Sequence, residues 1–493
     1  MRRGISFVVL VMLFFQQLLP GIAWANEAVQ SSVVDVTKLY TYEIMTEDIK
    51  GLAEKYPELI SYQSIGKTPY GRDIWAVKLG KGDIPVLFDG SLHAREWIST
   101  VLLMKVIESY AESYTTGTQL EGYNIKGLLD KSCLWFLPMV NADGVTLQQF
   151  GPAAFPKEIQ SRLLQMNDGK SDFKRWKANA QGIDLNQQYP ADWENKDTKV
   201  YKPYYWNYKG SKPLEAPEAQ AVVEFLKQLQ PEILINYHSS GNMIYWHSLY
   251  TSERNLQRTR ILADKVSAIT GYRLVEPSTK PGAAGLMDYF LSHFDRPSLT
   301  IELNKYVGET NVPLENFPLL WEQNKTVPAF IAQEGLKLAE ERKTLLQEIE
   351  KEKLMARQSG FASRHLNRLR YLYDAVEKND VIVLVNGEKI ETDVEPLLRG
   401  ETLLIPIRAI AENLGASVKW DGALKEVTVT KDTTVIKLWI NKTTAIVNDA
   451  EYQLSRPAEI LKGNVLVPLR FIGEALHLKV HWVPESRMVL VNE

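Results

Sequence analysis

Apolar positions in residues 38–335 fall into short unbroken runs separated by stretches of helical periodicity. The runs at 84–89 (IPVLFD), 132–140, 231–238 and 298–303 predict buried strands; 97–114, 217–229 and 254–269 predict helices. Strands and helices in alternation predict an α/β domain whose sheet is flanked by helices.

The pattern changes past residue 335. Residues 336–376 are dense in helix formers and mixed charge, with apolar positions only at intervals such as Leu338, Leu345, Ile349 and Leu354. This predicts a long solvated helix serving as a linker. Residues 377–493 then contain an internal repeat with a period of about 62 residues. LLIPIRAIAENLGASVKW at 403–420 aligns with VLVPLRFIGEALHLKVHW at 465–482, placing Pro406 over Pro468, Arg408 over Arg470 and Trp420 over Trp482. Each unit reads as a strand, a short helix begun by proline, and a hairpin, so the segment predicts an α+β two-repeat domain whose units pack against each other.

The amino terminus is different again. Two arginines precede an apolar run of about 11 residues, and Ala23-Trp24-Ala25 follows, which is the layout of a signal peptide over residues 1–25. With 57 basic and 60 acidic residues the chain is mildly acidic, which argues against a nucleic-acid partner. Cys133 is the sole cysteine and lies in the apolar run SCLWFLPMV, where it reads as a small core residue. A leader without disulfides suggests a bacterial protein that is secreted or held at the cell wall, with no membrane contact after cleavage.

Chemistry enters where the predicted strands end. FDGSLHAREW places His93 and Glu96 three residues apart after one strand; PEILINYHSSG ends a second in His238; RPSLTIEL ends a third in Glu302. HxxE by itself is weak evidence. Ligands bind at the carboxyl ends of strands in open α/β sheets, so three strands deliver these four residues to one edge. Two histidines, a carboxylate and an open position suit a catalytic zinc, one per chain.

These motifs, with YTYEIMTEDIKGLAEKYPELI, VNADG, GIDLNQQYP and TIEL in order, resemble the zinc carboxypeptidase family; NYKGSKPLEAPEAQA resembles its bacterial branch of γ-D-glutamyl-diaminopimelate endopeptidases. The resemblance implies a mixed sheet flanked by helices. It implies zinc held by His93, Glu96 and His238, with Glu302 as general base. Counting back from Asn186, it puts Lys177 where a cation steadies the developing oxyanion. It implies substrate contacts from Arg95, Asn186, Gln187 and Met287. The two-repeat domain resembles the copper amine oxidase N-terminal domain, without a duplicated ligand set: His477 and His481 align with Gly415 and Lys419.

One departure matters. Relatives carry DLNRN, whose asparagine and arginine clamp a substrate carboxylate, whereas this chain carries DLNQQ. A neutral amide at Gln187 predicts weak preference for a free carboxylate over its amide, unless a cation such as Arg175 or Arg273 fills the gap. Three functions are then open: a peptidase acting on peptidoglycan stem peptides at a γ-D-glutamyl-diamino acid bond, a carboxypeptidase acting on extracellular peptides, or a non-catalytic cell-wall binding protein on a peptidase scaffold.

The leader generates the first prediction. The mature protein begins at Asn26, and N-terminal sequencing of the extracellular protein checks it; a full-length chain retained in membranes contradicts it.

Overall fold

The structure, a computed structural model, describes residues 32–376, 381–392, 394–400, 402–461 and 463–492. The expected leader and its cleavage site lie outside the described residues. None of the described helices is long and apolar enough to cross a membrane.

The amino-terminal half is built on an eight-stranded sheet: β1 (Ile60–Lys67), β2 (Asp73–Leu79), β3 (Ile84–Gly90), β4 (Ser132–Leu137), β5 (Leu234–Ser239), β6 (Met243–Tyr245), β7 (Arg273–Leu274) and β8 (Ser298–Leu303). Their spatial order is β1-β2-β4-β3-β5-β8-β6-β7. The four central strands β4, β3, β5 and β8 run parallel, while β1, β2 and β6 pair antiparallel with their inner neighbours, so the sheet is mixed.

The central strands are buried along their length, as expected of parallel strands covered on both faces. Helix Ile98–Thr116 and the start of helix Val327–Gln358 pack on one face, joined in a single core with Val86, Phe88, Ile235 and Ile301. Helices Pro217–Leu229 and Leu286–His293 cover the other face, around Leu87, Leu137 and Leu234. The layering is therefore helix, sheet, helix. The run 132–140 pairs only as far as Leu137, because Pro138 cannot donate to a ladder.

The charged segment is not a solvated spacer. Helix Val327–Gln358 is rooted in the core of the amino-terminal half by Val327, Ala329 and Ile331. It then turns at Gly360 (φ 63°) into helix Ser363–Val376, which returns along it. Ile349 and Ala356 of the first helix and Leu366, Leu369 and Leu372 of the second share a core with Ile382, Leu384, Met488 and Leu490 of the carboxyl-terminal half. Ion pairs reinforce both ends: Arg342 Nη2 reaches Glu232 at 3.0 Å, and Lys353 pairs with Glu388. Sequence periodicity missed this because the apolar face is narrow and split between two partners.

The carboxyl-terminal half is β-rich. Strand Thr402–Pro406, helix Ile407–Asn413 and strand Ser417–Asp421 recur as Asn464–Pro468, Leu469–Ala475 and Lys479–Val483. The two equivalent strands pair antiparallel with each other, Leu404 opposite Pro468, Ile405 opposite Val467 and Pro406 opposite Leu466. The pairing is symmetric about Ile405 and Val467, and both units contribute to one core.

The packed helix pair makes a testable difference. Leu369→Ala, at a fully buried position, lowers the unfolding free energy by about 2–5 kcal/mol. Leu354→Ala, more than half exposed, changes it by less than about 0.5 kcal/mol. Chemical denaturation of the full chain checks both; equal small effects would mean the helices are solvated.

Candidate active site

The parallel strands β3, β5 and β8 end at one edge. In register, His238 on β5 lies directly opposite Glu302 on β8. β3 ends at Gly90, where an added Cβ would meet Pro138 O at 3.1 Å, so the chain can turn there close against its neighbour. Asn141 donates to Leu92 O (3.1 Å) and Ala178 O (3.2 Å), and Ala94 N–H donates to Lys177 O (3.0 Å). These bonds fix the loop carrying His93 and bring Lys177 beside it.

His93, Glu96 and His238 converge. His93 Nδ1 lies 2.9 Å from Glu96 Oε2 and 3.0 Å from His238 Nδ1, and His238 Nδ1 lies 2.8 Å from Glu96 Oε2. All three are buried, and among the described residues they are the one such group that could hold a metal. Although burial opposes its ionisation, the two imidazoles hold the Glu96 carboxyl well below its usual range.

Asp184 backs this centre: its Oδ1 lies 3.2 Å from His93 Nε2, and Lys177 Nζ approaches its Oδ2 at 3.7 Å. Burial opposes ionisation of Asp184, yet Lys177 and His93 keep it charged. A carboxylate on the far ring nitrogen turns His93 Nδ1 toward the centre and makes it a better ligand. Asp184 was not among the expected site residues, although it stands in the DLN segment. The signal was present; its role required the fold.

The chemistry of these donors fits zinc. Two imidazole nitrogens and one carboxylate oxygen crowd around a common point, and a zinc with ligand bonds of about 2.0–2.2 Å accepts that set. The remaining side faces a cleft of about 610 Å³ lined by His93, Lys177, Asn186 and Glu302 among others. Burial, and next the Glu96 carboxylate, push the Glu302 carboxyl up to about 7. A divalent cation at the triad would draw it back down.

The expected substrate contacts divide. Lys177, Asn186 and Met287 line the cleft. Asn186 Oδ1 accepts from Leu286 N–H (3.0 Å), and its Nδ2 stands 3.4 Å from His238 Nε2. Gln187 does not face the cleft: it is buried, and its amide donates to Asn207 Oδ1 and, at 3.4 Å, to Asp184 Oδ2. Arg95 donates to Arg175 O at 3.1 Å, and its charge reaches Glu302, whose ionised form it favours. The expectation for Gln187 is corrected, because acceptors beside the DLN loop capture its amide. Arg175 is tied to Asn167 and Asp168 and stacked 3.7 Å from the Tyr205 ring, and Arg273 contacts Met243 Sδ. Lys196, Lys280, Tyr245 and Asp288 line the cleft instead. Lys196 and Lys280 come from loops, Tyr245 from the three-residue strand β6 and Asp288 from the first turn of helix Leu286–His293, where sequence patterning carries little signal.

Two imidazoles and a carboxylate, open to a cleft that holds a further carboxylate, define a mononuclear metal-dependent hydrolase. Residues 45–311 match the profile of the zinc carboxypeptidase family, and 384–491 match that of the copper amine oxidase N-terminal domain. The chain belongs to the zinc carboxypeptidase family and is a zinc-dependent peptidase. It is 30% identical over 287 residues to gamma-D-glutamyl-L-diamino acid endopeptidase 1 of Lysinibacillus sphaericus, covering 58% of this chain and 70% of the relative. It is 26% identical over 241 residues to metallocarboxypeptidase A of Trichophyton rubrum, covering 46% and 52%. Bovine thrombin-activatable fibrinolysis inhibitor, solved with tick carboxypeptidase inhibitor, shares the fold at 19% identity with a TM-score of 0.50, covering 61% of this chain and 99% of that one.

His93→Ala and His238→Ala abolish tight zinc binding, and Asp184→Asn weakens it by about 10–100-fold. Titration with a competing chelator measures all three. Unchanged affinity in Asp184→Asn would show that the carboxylate does not support the ligand.

Proposed function

We propose that this peptidase is secreted and hydrolyses the bond between γ-D-glutamate and a diamino acid in peptidoglycan stem peptides. The observation that carries the reading is the mixed charge of the cleft. Lys196 and Lys280 line it together with Asp197 and Asp288, and a diamino acid with a free carboxylate bears both signs. The endopeptidase from Lysinibacillus sphaericus supports the same bond type. In this reading the copper amine oxidase N-terminal-like domain contacts the wall and holds the catalytic half near its substrate.

His93, Glu96 and His238 would hold the zinc, which would supply Lewis acidity to polarise the scissile carbonyl and lower the pKa of the attacking water to about 7. Glu302 faces the same cleft and serves as the base that takes the attacking water's proton. It then returns a proton to the departing amine, and such positioned proton transfer contributes about 10²–10⁴ in rate. Lys177 stands beside the ligands and offers a point charge to the developing oxyanion. A non-catalytic binding role is less well supported, because a carboxylate held beside an open three-ligand site has no use in simple adhesion.

Digestion of purified muropeptides by the zinc-loaded chain, read by mass spectrometry, releases fragments with a newly freed diamino-acid amine, and chelator stops it. Glu302→Gln retains zinc and loses about 10²-fold or more in turnover. Cleavage of ordinary C-terminal residues with muropeptides left intact would assign a general carboxypeptidase instead.

A further inference from the structure

The cleft lacks the cation that DLNRN would have supplied, since Gln187 is buried and bound to Asn207 and Asp184. Three lysines line it in compensation: Lys177, Lys196 and Lys280. They are not equivalent. Lys177 is engaged with Asp184 beside the metal ligands. Among the described residues Lys196 and Lys280 have no ion-pair partner, and both stand on loops that border the cleft.

Those two loops are fastened to each other. Asp192 N–H donates to Ala283 O (2.7 Å), Gly282 N–H donates to Asp192 Oδ2 (2.7 Å), and Tyr250 donates its hydroxyl to Asp192. At Gly282 the backbones nearly touch: φ is +93°, and an added Cβ would lie 2.5 Å from Asn195 O and 2.7 Å from Lys196 Cα. Lys196 and Lys280 are thereby carried on one joined rim. Two acids share the cleft, and Lys196 stands near enough to Asp288 to favour its charged form. Asp288 accepts from Gly285 N–H at 3.2 Å as a cap on its own helix, and Asp197 is exposed.

We propose that Lys196 and Lys280 form the cleft's anion-recognition pair and receive a free carboxylate next to the scissile bond. This rests on the peptidase reading above and makes it more specific: the substrate carries a carboxylate there, and this chain reads it with two ammonium groups in place of a guanidinium fork. An ammonium is a compact point charge, so recognition is by charge more than by planar geometry. The weak preference expected from Gln187 is therefore reversed.

The test uses the zinc-loaded full chain and two probes, L-Ala-γ-D-Glu-L-Lys and its C-terminal amide. The parent prefers the acid by about 30-fold or more in kcat/KM. Lys196→Gln and Lys280→Gln each reduce that ratio about tenfold, chiefly through KM, about 1.4 kcal/mol per decade. The double variant brings the ratio near one, and the arginine variants retain the preference. A double variant that keeps the parent's acid preference overturns the proposal, as does a parent with no preference. Should neither probe be hydrolysed, the assigned bond type fails separately; calorimetric binding of acid and amide to parent and double variant then reads the lysine pair without turnover, and equal affinities for the two probes in the parent overturn it.

Discussion

The architecture is organised around a cluster of buried groups arranged to share one cation. Two imidazole nitrogens and the charged Glu96 carboxylate stand within 3.0 Å of one another at the buried end of a sheet. Burial of a charged carboxylate is expensive unless it is paired and hydrogen-bonded. The surrounding structure is arranged accordingly: the backbone N–H of Ser239 reaches Glu96, Asp184 reaches His93, and Asn141 ties the ligand loop to the next segment. Parallel strands make this affordable in space, because β3, β5 and β8 all present their carboxyl ends at one edge.

Much of this was legible in the chain. Strands at the cores of the apolar runs, the helices between them and the convergence of His93, Glu96, His238 and Glu302 all follow from periodicity and from polar residues placed at strand ends. The outlying strands β1, β6 and β7 were not legible, since β1 is largely exposed along its length and β6 and β7 are only two or three residues long. Side-chain direction was also out of reach. Gln187 stands next to site residues in sequence, yet nearby acceptors turn its amide aside. Lys196 and Lys280 lie far from the metal ligands in sequence, and the contact at Gly282 with the bonds of Asp192 shows that their loops share a rim.

The charged helices join the two halves more firmly than composition suggests. Acidic and basic side chains cover most of their outer surface, while a thin line of Ile349, Ala356, Leu366, Leu369 and Leu372 meets the strands beyond. Mixed charge along a helix thus describes the solvent side alone; its opposite side is read only when the partner is known. The catalytic half and the repeat domain are consequently coupled through packing and through Arg342–Glu232 and Lys353–Glu388.

The self-complementary pairing of Thr402–Pro406 with Asn464–Pro468 has a consequence for the chain's life before folding is complete. Until the second repeat has been synthesised, the first presents an open row of backbone donors and acceptors whose natural complement is a copy of itself. Two nascent chains arrested at that stage carry matching edges, and each could close the other's sheet in place of its own second unit. Order of emergence, more than final stability, therefore decides whether this domain closes within one molecule or between two.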